Sequence, residues 1–243
     1  MPVVETLAVV AVVFLAGLVG GISGFGFALV VVPILSVVIG PTEAVLLVNA
    51  ISPVHSLAMF MLLRRNVQWR TASRLLVAGA FGMPLGAYGL VVMSPDALRI
   101  AIGITVLLGT VVLWRGFEIH RGGAVAEALT GFISGVLKTS TGINGPPLVL
   151  YLQGTGIEAL PFRATTSAVF VVSGVMGAAV LAVGHQLTTG TLAQSAVSVP
   201  FIFAGLLTGN RLFPRIAPAR FRQLVLGLLL VSSTVIITTT VLR

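Results

Sequence analysis

The chain contains no cysteine, which excludes disulfides, thiol redox chemistry and cysteine-ligated metals. Charge is nearly as scarce. Charged residues make up 8% of the 243 positions, and only six are acidic. A soluble domain carries about 25%, so this surface cannot be mostly water-facing. The three histidines, His55, His120 and His185, lie far apart without ligand-like spacing, and neither a metal nor a cofactor is expected. Basic stripes with interleaved aromatics are missing, so the net charge of +8 is no nucleic-acid footprint. The start, "MPVVETLAVV", has no basic n-region and carries Glu5, so a cleaved signal peptide is not expected. Glu43, Glu127 and Glu158 sit at the ends of apolar segments, which disfavours a carboxylate proton relay.

What remains is apolar. Hydrophobic residues reach 57% and the mean hydropathy is +1.12. Apolar runs cover about 4–39, 44–63, 75–93, 97–114, 124–152, 164–183, 192–213 and 222–242. Runs of roughly 20 residues match the thickness of a hydrocarbon core, so the fold class is an all-α polytopic membrane protein. The first and fifth runs are too long for one helix. Each is broken near its middle, at "GGISGFGF" (Gly20–Phe27) and at "KTSTGINGPP" (Lys138–Pro147). Glycine and proline at that density cannot continue a helix. Each run therefore reads as two half-helices with a turned joint; Val3–Leu18 would extend about 24 Å at the usual rise.

The two breaks resemble each other. Gly17, Gly21 and Pro33 match Gly131, Gly135 and Pro147 at one common offset. "TEAVLL" at Thr42 faces "IEALPF" at Ile157, "GMPLG" at Gly82 faces "GLLTG" at Gly205, and "SPDALR" at Ser94 faces "APARFR" at Ala217. This order predicts a single membrane domain, 1–243, made of two repeats, 1–116 and 124–243. Each repeat would hold one broken, re-entrant helical hairpin and three transmembrane helices. If each hairpin returns to its starting side, Arg64, Arg65, Arg70 and Arg74 fall together with Arg115, Arg121, Arg211, Arg215, Arg220 and Arg222. Only Arg99 and Arg243 stay opposite. Cytoplasmic loops concentrate positive charge, so the repeats are expected to be inverted and both termini non-cytoplasmic.

Opposed hairpin tips are where transporters of this kind place their cargo. Half-helix N-termini favour anions, and Lys138 adds a full charge beside Thr139, Ser140, Thr141 and Asn144. This donor-rich set suits a small oxyanion. The competing reading is that Lys138 snorkels to an interface and the hydroxyls bond their own turn. Asn49, Ser52 and His55 share a face of the following helix, where His55 either carries a coupling proton or serves as a hydrogen-bonded packing residue. Arg163 opens the corresponding helix of the second half, as an anion contact or an end anchor. The spaced pairs Gly17/Gly21, Gly131/Gly135, Gly82/Gly86 and Gly205/Gly209 read as close helix packing.

"GLVGGISGFGFALVVVPIL" (Gly17–Leu35) and "GFISGVLKTSTGINGPPLVLYL" (Gly131–Leu152) resemble the two hallmark segments of the sulfite exporter TauE/SafE family of membrane permeases. The resemblance extends over nearly the whole chain. It implies a bacterial inner-membrane exporter of sulfur-containing anions such as sulfite or organosulfonates like sulfoacetate. By position it places Ser23, Gly24 and Phe25, and Lys138 through Asn144, near that anion. Lys138 departs from the glycine-rich second tip of many relatives. The partners expected are the anion, the lipid bilayer, a coupling proton or sodium ion, and a second copy of the chain in a homodimer. The rival from another class is an intramembrane serine protease using "GISG" at Gly21–Gly24, with Ser23 as nucleophile and His55 as base. It requires those two side chains within hydrogen-bond reach and leaves the second tip without a role.

Overall fold

The computed structural model describes residues 3–115 and 123–212, with isolated positions beyond. The apolar run at 222–242, the match at Ala217–Arg222 and the side chain of Ser23 lie outside the described residues. The described residues are almost entirely helical: α1 (Val3–Ser23), α2 (Phe27–Val38), α3 (Pro41–Leu63), α4 (Trp69–Val92), α5 (Pro95–Arg115), α6 (Ala124–Thr141), α7 (Gly145–Gly154), α8 (Ala159–Val183) and α9 (Thr189–Leu212). One 3₁₀ turn, Arg64–Asn66, links α3 to α4. Five of these helices, α1, α3, α4, α8 and α9, are long and apolar enough to cross a membrane. Their outer faces carry Phe81, Tyr88, Val91 and Val183, each more than half exposed. Such a surface suits lipid rather than water.

Both long apolar runs break, but later than the sequence predicts. α1 continues through Gly20 and Gly21 to Ser23, and α6 continues through Lys138 to Thr141. The turns themselves are short and use left-handed glycines: Gly24 (φ 79°) and Gly26 (φ 94°) in the first, Gly142 (φ 74°) in the second. The extra helical turn follows from tertiary packing, which outweighs the low helix propensity of glycine. A Cβ on Gly21 would lie 2.6 Å from the Leu206 carbonyl oxygen of α9, so glycine is what lets the helices approach. In α6, Ser140 and Thr141 donate to the carbonyls of Val136 (2.8 Å) and Leu137 (2.9 Å), and the polar stretch stays helical.

The same contact pattern occurs twice. α1 packs along α9, and α4 packs along α6. A Cβ on Gly205 would overlap the Phe14 carbonyl and lie 2.9 Å from Leu18 N; one on Gly82 would overlap the Phe132 carbonyl and lie 2.9 Å from Val136 N. Gly17 faces the Ile202 carbonyl as Gly135 faces that of Gly79. These contacts equate Gly17 with Gly135, one helical turn from the Gly131 that the sequence match selects. Glycine spacing of four fits either register, and only the partner helix distinguishes them.

Each hairpin returns to the end from which it starts. Gly123, Gly156 and Glu158, which flank α6–α7, line one cleft together with Gln68 at the start of α4. At the other end, Glu43 of α3 meets Thr191 of α9 (3.5 Å), and α1 runs parallel to α9 through the glycine contacts above. The hairpins α1–α2 and α6–α7 thus enter from opposite ends, and their tips meet at α3. The larger apolar core, built on Leu35, Leu47, Ile51, Leu98 and Ile102, lies around α1, α2, α3 and α5; a smaller one, with Leu75, Leu148, Leu152 and Phe162, joins α4, α7 and α8.

Candidate functional site

The two tips enclose a cavity of about 30 Å³, room for about one water molecule. Phe25, Gly26 and Phe27 line it from the first tip, Ile143, Asn144 and Gly145 from the second, and Ser52, His55 and Ser56 from α3. Lys138 reaches in from the last turn of α6 and is 2% exposed. Its Nζ donates to Ser52 Oγ at 2.7 Å. Among the described residues, no acidic side chain lines the cavity. The ion pairs found among the described residues, Arg74–Glu127 (2.8 Å) and Arg99–Asp96 (2.7 Å), lie elsewhere. Beside a neutral hydroxyl alone, a buried lysine holds its proton only at a cost, which an anion in the cavity would offset.

Two further features make room for this lysine. Asn49 donates from Nδ2 to the Lys138 carbonyl (3.1 Å) and the Val45 carbonyl (2.9 Å), tying α6 to α3. Gly177 of α8 supplies clearance, since a Cβ there would lie 3.2 Å from Lys138 Cγ and 3.1 Å from Asn49 Oδ1. Under the register that equates Gly17 with Gly135, Lys138 corresponds to Gly20. The space beside Gly20 holds the imidazole of His55, which would collide with any Cβ there. That ring stacks on Phe27 (4.5 Å between centroids, 15° between planes). α3 and α6 therefore each send a basic side chain towards the cavity, His55 and Lys138.

Helix ends reinforce the anion preference. α2 begins at the cavity without a side-chain cap, and its first helical bond runs from Val30 N–H to the Gly26 carbonyl. The N–H groups of Phe27, Ala28 and Leu29 therefore lack acceptors within the helix, and all three residues line the cavity. α7 also begins there uncapped, although Pro146 and Pro147 remove two of its donors.

Not every expected residue faces this cavity. Thr139 Oγ1 donates to the Met83 carbonyl (2.6 Å), and Ser140 and Thr141 bond their own helix, so these hydroxyls are engaged with backbone. Asn144 lines the cavity, and its Nδ2 donates to Ser173 Oγ (3.0 Å). Phe25 lines it too and meets Phe162 edge-on at 6.1 Å. Gly24 and Arg163 are neighbours outside it: a Cβ on Gly24 would lie 3.0 Å from Arg163 Nε. Asn49 stands behind the lysine rather than in the cavity. His55 Nε2 has no hydrogen-bond partner among the described residues.

Ser173, Ser134 and Phe170 were not singled out from the sequence. Ser134 donates to the Asn144 carbonyl (2.9 Å), and together with Ser173 it fixes the second tip. No sequence signal marked Ser173: at the offset of the Thr42 and Ile157 match, His55 falls opposite Phe170. Towards the arginine-rich end, a cleft of about 940 Å³ is lined by Arg70, Arg74, Glu127 and Tyr151. The smaller apolar core separates it from the cavity: Tyr151 and Leu152 face the cleft, while Phe25 and Phe170 pack on the other side and face the cavity.

Comparison with known proteins identifies a family. Residues 9–236 match the family described as Sulfite exporter TauE/SafE. The chain is 24% identical over 220 residues to the probable sulfite/organosulfonate exporter TauE of Cupriavidus necator, covering 86% of this chain and 84% of that protein. It is 32% identical over 178 residues to the probable inner membrane transporter protein TsaS of Comamonas testosteroni, covering 69% and 72%. No solved structure matches. With a family match over nearly its whole length, the chain belongs to the sulfite exporter TauE/SafE family of membrane proteins.

Proposed function

We propose that this protein is a transporter, not an enzyme, and that it exports sulfite or short organosulfonates across the bacterial inner membrane by alternating access around the cavity at the two hairpin tips. The observation that carries the reading is Lys138, a fully buried lysine in a cavity that no carboxylate among the described residues lines. The uncapped start of α2 faces it and would complete an anion site. The relatives' names point to sulfur anions and to the inner membrane. The twice-repeated helix packing favours an inverted duplication, with the hairpin of each half riding on the fourth helix of the other. With the arginines of the Gln68 end in the cytoplasm, both termini would be non-cytoplasmic and the large polar cleft would be the inner vestibule. No observation favours the proton, the sodium ion or the homodimer expected from the sequence. The protease alternative gains nothing from the family match, and the side chain of its nucleophile, Ser23, lies outside the described residues.

Calorimetry of the purified protein with sulfite and methanesulfonate tests the reading. Lys138→Met keeps the stem and removes the charge. Loss of one charge-assisted hydrogen bond, about 1.5–3 kcal/mol, should weaken binding by roughly 10- to 150-fold. Lys138→Arg should retain part of the affinity, limited by its planar, bulkier head. Equal affinity in the wild type and the Met variant would remove Lys138 from the site.

A further inference from the structure

Resting on the anion-transport reading, we infer that this carrier is an obligatory anion exchanger: it turns over only when one bound monoanion is replaced by another. The charge balance of the cavity carries the inference. Lys138 supplies one positive charge, and no carboxylate among the lining residues cancels it. His55, the other titratable side chain there, lies flat against Phe27 and adds no negative charge. At about 30 Å³ the cavity must widen to admit an anion and close again on it.

Two consequences follow for the transport cycle. A monoanion on Lys138 makes a neutral pair, and a neutral pair passes through the sealed intermediate without a bare charge. A dianion would leave one negative charge uncompensated, so sulfonates and hydrogensulfite suit the site better than sulfate. The empty carrier is the opposite case. With its proton kept, the lysine would be sealed in as an ammonium bonded to the Ser52 hydroxyl at 2.7 Å, and a buried charge without a counter-ion opposes that closure. Return without cargo is therefore the blocked step. Exchange of one monoanion for another moves no net charge.

Purified protein in liposomes loaded with radiolabelled methanesulfonate, a monoanion throughout the working range, provides the test. Efflux into buffer containing unlabelled methanesulfonate or sulfite should exceed efflux into anion-free buffer on the order of 100-fold. A potassium diffusion potential set with valinomycin should leave the exchange rate unchanged. In Lys138→Met the remaining flux should lose its dependence on external anion, the ratio falling towards one. Equal efflux with and without external anion in the wild type overturns the proposal. So does efflux into anion-free buffer that is accompanied by protons, because Lys138 would then be discharging itself. A ratio that persists in the Met variant overturns the role of the lysine. Labelled anion that never moves in any mode removes the transport reading itself, and exchange with it.

Discussion

Gly82 and Gly89 lie two turns apart on α4, and replacing each with alanine should move stability in opposite directions. A Cβ at 82 would overlap the Phe132 carbonyl and sit 2.9 Å from Val136 N, both backbone atoms of α6 that cannot rotate away. Restoring an ordinary C···O separation of about 3.4 Å requires α4 and α6 to part by about 1 Å. Overpacking of that kind costs about 3 kcal/mol, offset by about 1 kcal/mol of improved helix propensity. At 89 the new Cβ meets only Met93 Cε, at an ordinary 3.6 Å, so the propensity gain stands alone. Thermal unfolding in detergent, followed by tryptophan fluorescence, should show Tm falling by roughly 4–8 °C for Gly82→Ala and rising by roughly 2–4 °C for Gly89→Ala. Gly205→Ala, which would overlap Phe14 in the same way, should behave like Gly82→Ala. If Gly82→Ala is as stable as Gly89→Ala, the backbone contact between α4 and α6 is not what holds the halves together.

Two further predictions use the tips and the absence of cysteine. Single cysteines at Gln68 and Gly156 should react with an impermeant thiol reagent from the same face of the membrane, the cytoplasmic one, and a cysteine at Thr188 from the other; labelling of 68 and 156 from opposite faces would mean that α6–α7 spans. Valine at Gly24 or Gly142 would strain a left-handed turn and strike Arg163 or Val48 respectively. Anion flux should be lost in both variants while a monodisperse protein is still recovered, and undiminished flux in both would exclude the tips from the cycle.

The helical class, the two breaks and the glycine pairs were legible in the sequence because each leaves a local mark: run length, glycine and proline density, spacing of four. The exact ends of α1 and α6 were not. Gly20, Gly21 and Lys138 look like breakers or loop residues in isolation, and only contact with α9, His55 and Ser52 explains why the helix continues through them. The fate of the hydroxyls was equally hidden. Thr139 has the same donor as Ser52, yet it packs against the α4 backbone while Ser52 meets the lysine, a difference set by which side of the helix faces the cavity. Asn49, Ser52 and His55 were visible as one face, but the sequence could not show that the first supports Lys138 from behind and the other two face the cavity.

The order of residues around the second break has an electrostatic logic. Lys138 stands in the last turn of α6, where unsatisfied carbonyls place the negative end of the helix dipole. That end favours the ammonium before any cargo arrives. Across the cavity, α2 presents its N-terminus and the positive end of its own dipole. An anion between them would meet the lysine on one side and free N–H groups on the other, while the lysine keeps carbonyls at its back. Moving the cation four residues beyond the break, into the first turn of α7, would set it against the positive end of that helix and undo both effects. A continuous helix would have no free ends at this depth. The break, the position of the lysine before it, and the opposing start of α2 are therefore one arrangement, and each would lose its purpose without the other two.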